Sequence, residues 1–148
     1  MNEQLTRRIV VGVDGSPDAA RALAWAIDEA KRRDMTVVLV HGVEVGAIAA
    51  SPYGGGAVLE QLETSGKVLL EEAVVAVRAE GLPVDCVLEI GSGAHALIEA
   101  SRNADLVVVG SRGHGGFVGM LLGSVSNACT HHAHCPVVVI RPERANGM

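Results

Sequence analysis

Aromatic residues are nearly absent: one Trp, one Tyr and one Phe stand among 148 residues. The core must therefore be aliphatic, and the stacking platforms on which single-stranded nucleic acid lies are excluded. Basic charge is short too. The 12 Lys and Arg against 17 Asp and Glu leave a net charge of -5, without the electrostatic footprint that DNA or an anionic membrane requires. No apolar run approaches the roughly 18 residues of a membrane span. The segment from Met1 to Arg8 contains Glu3 and lacks the apolar stretch of a signal peptide. Three cysteines (Cys86, Cys129 and Cys135) are an odd number without framework spacing. They read as reduced thiols, so a cytoplasmic location is expected. Walker A, G-x-S-x-G and H-E-x-x-H patterns do not occur.

Aliphatic residues, by contrast, are abundant. Hydrophobic residues make up 49% and charged ones 20%, which excludes intrinsic disorder. The length suits one domain, expected over residues 1–148. Five β-branched runs read as strands: Ile9–Val13, Thr36–Val40, Val84–Ile90, Asp105–Val109 and Val137–Ile140. Most are continuously apolar, as in parallel strands covered on both faces. The third is mixed and reads as nearer an edge.

Helical patterns fill the intervals. Ser16 caps the first helix, Pro17 opens it, and Ala20, Leu23, Ala24, Ile27 and Ala30 form its apolar stripe. Lys31, Arg32 and Arg33 complement its C-terminal dipole. A second helix is expected from about Glu60 to Glu80, with Leu62, Leu69, Leu70, Ala73, Val74 and Val77 inward. Gly81 and Pro83 stop it. A third covers Ala94–Arg102. A fourth starts near Gly123, ends before Pro136, and turns Val125, Ala128, Cys129 and His132 to one face. Strict β-α alternation predicts an α/β fold: one open five-stranded parallel sheet with right-handed crossovers and helices on both faces, Rossmann-like. The loop Gly42–Val58 is long enough to be functional or simply a surface excursion.

Glycine concentrates after the fourth strand, in Gly110-Ser111-Arg112-Gly113-His114-Gly115-Gly116 and on to Gly123-Ser124. Glycines let backbone N–H groups approach phosphate oxygens, and a following helix N-terminus adds donors and a positive dipole end. Ser124 adds a hydroxyl, and Arg112 or His114 adds charge. A flexible turn without a ligand is the alternative. The first strand ends in Gly12-Val13-Asp14-Gly15-Ser16. Asp14 there suits ribose hydroxyls or an adenine amine, or else a turn beside the Ser16 cap. Ligands of open α/β sheets bind where the strand order reverses. With strand order 3-2-1-4-5, Asp14 would face Gly110 across that crevice.

The spacing Gly110-x2-Gly113-x9-Gly123-Ser124 resembles the G-2x-G-9x-G-(S/T) motif of the ATP-binding branch of the universal stress protein family. The runs Ile9–Ser16, Asp105–Gly110 and Cys135–Val139 resemble the same family, so the likeness covers nearly the whole chain. It implies a nucleotide-dependent regulatory module of the stress response that binds ATP, with magnesium or manganese as accompanying ion. It also implies a homodimer, expected through the fifth strand, and a regulatory partner of unknown identity. By position, Gly12, Val13 and Asp14 would contact adenosine, and Val40 would wall the adenine. Gly110, Ser111, Arg112, Gly113, His114, Gly115 and Gly116 would line ribose and phosphates, and Gly123, Ser124, Val125 and Ser126 would hold the phosphates.

Two further patterns compete. Gly91-Ser92-Gly93-Ala94-His95-Ala96 fits G-x-G-x-x-A, yet it follows the third strand, outside the expected crevice, and reads as the tight start of a helix. His131-His132-Ala133-His134-Cys135 offers two metal ligands, His131 and His134, three residues apart, but dipole complementarity also explains it and no second ligand pair stands out, so no metal site is expected. No acid lies between Gly110 and Asn127. A slow ATPase or related nucleotide-using enzyme is the rival reading, and this lack counts against it, because phosphoryl transfer needs metal-holding carboxylates. A structural dimer with a vestigial loop is the third.

Overall fold

The computed structural model describes residues 7–46, 55–113 and 122–142. Its elements run β1 (Arg8–Gly12), α1 (Pro17–Arg33), β2 (Thr36–Val43), α2 (Gly56–Ala79), β3 (Val84–Ile90), α3 (Gly93–Ser101), β4 (Leu106–Gly110), α4 (Ser124–His132) and β5 (Val137–Ile140). The strands form one sheet in the order β3-β2-β1-β4-β5, every neighbouring pair parallel. This is the α/β architecture that the alternation predicts. No described helix is long and apolar enough to cross a membrane.

Each sheet face carries its own core. On one face Ile9, Val11, Val37, Leu39 and Val108 pack with Ala22, Ala26 and Ile27 of α1 and Leu70, Ala73 and Val77 of α2. On the other, Val10, Val38, Val40, Val107 and Val109 pack with Ala96 and Leu97 of α3 and Cys129 of α4. Alternate residues of one strand thus serve both layers, which is why β1, β2 and β4 are almost unbroken aliphatic sequence. β3 lies at an edge, as its mixed sequence predicts, and much of it is exposed.

Several boundaries and faces differ from the sequence expectation. β2 continues past Val40 to Val43 because β3 pairs with it as far as Val43 opposite Ile90. α2 begins at Gly56, ahead of Glu60. The buried row of α1 is Asp18, Ala22, Ala26 and Ala30 with Ile27, while Ala20 and Ala24 are exposed. These residues recur every fourth position, and their short side chains let the helix lie close on β1 and β4. In α2 the buried row is Gly66, Leu70, Ala73 and Val77, and Leu62 is exposed. The contact begins at Gly66, where a Cβ would come within 2.6 Å of the His41 ring. In α4, Ser126 and Cys129 are buried but His132 is exposed at the last turn.

Candidate functional site

The carboxyl ends of β1, β2 and β4 converge where the chain leaves β1 in one direction and β4 in the other, the switch point of an open α/β sheet. A cavity of about 500 Å³ lies there, within the usual size of a small-molecule site. Gly12, Val13, Asp14, Val40, Gly110, Arg112, Gly113, Gly123, Ser124, Val125 and Ser126 line it. The two glycine-bearing segments, about a hundred residues apart in sequence, therefore meet across one opening. His114, Gly115 and Gly116, and residues 47–54 of the long loop, lie outside the described residues.

Asp14 has two jobs. Its Oδ1 accepts hydrogen bonds from the Ser16 N–H at 2.8 Å and the Ser16 hydroxyl at 2.5 Å, and Ser16 Oγ accepts from the Ala19 N–H at 3.2 Å. That turn caps α1, so the turn reading of Asp14 is correct as far as it goes. Its Oδ2 lies where a Cβ on Gly113 would approach within 2.8 Å. The residue facing Asp14 across the crevice is Gly113. Gly110, the partner expected from sequence, instead abuts Asp18, whose Cβ and main chain stand 2.7–2.9 Å from where its Cβ would be.

Ser111 does not line the cavity. It is buried behind the wall and ties three elements together. Its N–H donates to the Ile140 carbonyl at 2.8 Å, and its carbonyl accepts from the Gly123 N–H at 2.6 Å and the Ser126 hydroxyl at 2.8 Å. Gly123 is the N-cap of α4 in extended conformation. The first turn of that helix opens beside the Gly110–Gly113 turn, and such a turn carries backbone N–H groups without intrahelical acceptors.

Sequence reasoning missed Ser16, Ala19, His41, Gly42, Glu44, Gly93, Leu97 and Val109, which also line the cavity. Gly93 and Leu97 correct the placement of the Gly91–Ala96 segment: it does reach the crevice. Gly42 and Gly93 are in backbone contact, because a Cβ on Gly42 would fall 2.5 Å from Gly93 N and Cα. The segment also caps its helix, Ser92 Oγ accepting from the His95 N–H at 3.2 Å. His41 is anchored by donating from Nδ1 to the Val13 carbonyl at 2.6 Å, which fixes β2 against the β1–α1 turn. The only signal for His41 and Gly42 was the length of β2, and that depends on the pairing of β3.

Among the described residues no group of three or more His, Cys, Asp or Glu is arranged to hold a metal ion. His131 Nδ1 instead donates to the Asn127 carbonyl at 2.8 Å. Cys129 is fully buried on α4, and burial, with Cys135 nearby, pushes its thiol from 9.0 up to about 11. Burial and the charge of Asp105 also raise Cys135. Both thiols behave as small apolar groups rather than nucleophiles.

This switch-point crevice, with glycine-rich turns from β1 and β4 on its rim, lies where open α/β sheets place their ligands. The chain belongs to the universal stress protein family, whose family model matches residues 6–141. Universal stress protein Rv2005c of Mycobacterium tuberculosis is 42% identical over 138 residues, covering 90% of this chain and 45% of that protein. The chain thus spans about half the length of the curated relatives it matches. Among solved structures, the universal stress protein of Archaeoglobus fulgidus in complex with dAMP is 26% identical, with a TM-score of 0.67 over 93% of this chain and 99% of that one. An Arabidopsis thaliana universal stress protein with AMP bound is 25% identical, with a TM-score of 0.68 over 93% and 92%.

Proposed function

We propose that the crevice binds an adenine nucleotide, ATP together with magnesium or manganese, and that the chain works as a nucleotide-dependent regulatory module. The observation that carries the reading is the convergence of Asp14, Gly113, Gly123 and Ser124 on one cavity at the switch point. Its donor set suits the ligand. Val40, Leu97 and Val109 form an apolar part of the lining that fits a flat base, while Arg112, the Ser124 hydroxyl and the start of α4 supply the polar part. Relatives with this fold bind dAMP and AMP. In this reading Gly12, Val13 and Asp14 contact adenosine and Val40 walls the adenine. Gly110, Arg112 and Gly113 follow ribose and phosphate, with Ser111 bracing them from behind, and Gly123 to Ser126 hold phosphate.

The carboxylates among the described lining residues are Asp14 and Glu44. Asp14 is occupied by the α1 cap, which favours a ligand held over a substrate turned over. A homodimer through β5 belongs to the same proposal. β5 is an edge strand whose inner side pairs with β4. The parallel ladder turns the N–H and carbonyl of Val137 and Val139 outward, and an apolar edge of that kind invites pairing with a second copy. Equilibrium dialysis with ATP, AMP, cyclic AMP and GTP tests the ligand. Adenine nucleotides should bind, raise the melting temperature, and lose affinity in a Gly113→Val variant; a variant that folds and keeps full ATP affinity refutes the site.

A further inference from the structure

Beside the main cavity lies a second one of about 300 Å³, lined by Ser16, Pro17, Asp18, Arg21, Arg112 and Gly113. It shares Ser16, Arg112 and Gly113 with the first, so the two adjoin where α1 begins and the β4 turn ends. We propose that this second cavity receives the distal phosphates of a nucleoside triphosphate, and that Arg21 of α1, with Arg112, selects for them over a monophosphate. The proposal rests on the reading of the first cavity as an adenine nucleotide site.

The charge arrangement argues for it. Asp18 is buried, with 9% of its side chain exposed, and it serves two arginines at once. Arg21 pairs with Asp18 Oδ1, while Arg112 Nε stands 3.8 Å from Oδ2, too far for a hydrogen bond. The Ser111 hydroxyl donates to the same Oδ2 at 3.4 Å. Asp18 alone does not balance the two guanidiniums, and the next carboxylate, Asp14, stands on the far side of Ser16 and Gly113, where its Oδ1 is held by the Ser16 N–H and hydroxyl. Arg21 Nε is buried and has no hydrogen-bond partner among the described residues, a costly state for a charged group, so the guanidinium is not fully satisfied by Asp18. The N-terminal end of the 17-residue helix α1 adds a positive dipole end at the same wall. Asp18 sets the direction of both guanidiniums and holds the Gly110 turn against α1, so it acts as a positioning residue. A guanidinium presents several donors in a fixed plane, which matches phosphate oxygens.

The experiment compares ATP, ADP and AMP affinities by calorimetry for wild type, Arg21→Gln, Arg21→Lys and Arg112→Gln, with unliganded melting temperatures recorded for each. Arg21→Gln should lower ATP affinity by about tenfold or more while AMP affinity stays within about twofold, and Arg21→Lys should recover part of the loss. Arg112→Gln, at a residue that lines both cavities, should weaken AMP as well as ATP, with the larger loss for ATP. A further arm titrates inorganic phosphate into the AMP-saturated wild type; the linked-phosphate reading expects no saturable binding in the range where ATP binds. Equal losses for AMP and ATP, no loss in either arginine variant, or tight binding of free phosphate overturns the proposal alone. A wild type that binds neither AMP nor ATP overturns the nucleotide reading and this inference together.

Discussion

Replacing Gly42 by Ala inserts a methyl group into a backbone-to-backbone contact. The new Cβ would lie 2.5 Å from Gly93 N and Cα and 3.0 Å from the Ser92 carbonyl carbon. Neither partner is the end of a side chain that can rotate aside, so β2 and the start of α3 must separate. Overpacking costs about 1–3 kcal/mol, and a clash against main chain on both sides of one atom belongs in the upper half, about 2–3 kcal/mol. For 148 residues about 3 °C of melting temperature is lost per kcal/mol, so the midpoint should fall by about 6–9 °C. Gly56→Ala is the matched control. Its Cβ meets nothing within 4 Å at the first position of α2, and the midpoint should hold or rise slightly because Ala suits a helix better than Gly. Gly42 and Gly93 also line the crevice, so Gly42→Ala should weaken adenine nucleotide binding as well. Thermal unfolding followed by circular dichroism measures the first effect and calorimetry the second. A Gly42→Ala protein that melts with wild type would show that the close approach is not a constraint, and the argument for the shape of the crevice would fall with it.

Cys129 gives a pH prediction. Its thiol titrates at 9.0 when free and about 11 when folded, so between these values the unfolded chain has lost a proton that the native protein keeps. This contribution to stability is whole below pH 9 and disappears as pH rises through about 11; urea midpoints should fall across that window more steeply in wild type than in Cys129→Ala. Val139→Pro removes an outward N–H from β5 without breaking the β4 ladder, and should convert a dimer to a monomer in sedimentation while the fold persists. Gly113→Val drives a side chain toward Asp14 Oδ2, 2.8 Å from the added Cβ; adenine nucleotide affinity should drop by about tenfold or more, measured by calorimetry, with unchanged affinity counting against the site.

The layers of this fold were legible because continuous aliphatic runs have one use in a small α/β protein: strands buried on both faces. That pattern located β1, β2, β4 and β5, and the mixed Val84–Ile90 run located an edge. Helix faces were less legible. A run such as Ala19, Ala20, Ala22, Ala24 and Ala26 offers no contrast between sides, so the sheet, not the helix, decides that Ala22 and Ala26 go inward. The same reasoning explains Asp18. A charged residue in the first turn of a capped helix is ordinarily a dipole partner at the surface, and nothing local says that Gly110, 92 positions away in sequence, will press on it. The glycines of the β4 turn were visible because their spacing is regular. The need for glycine at Gly42 was not, because it arises only from the close approach of the Gly93 main chain, across a contact between β2 and α3 that exists only once the sheet has formed. Residues that approach the ligand cavity as one continuous turn can therefore be read from sequence, whereas those that shape it by mutual approach require the assembled sheet.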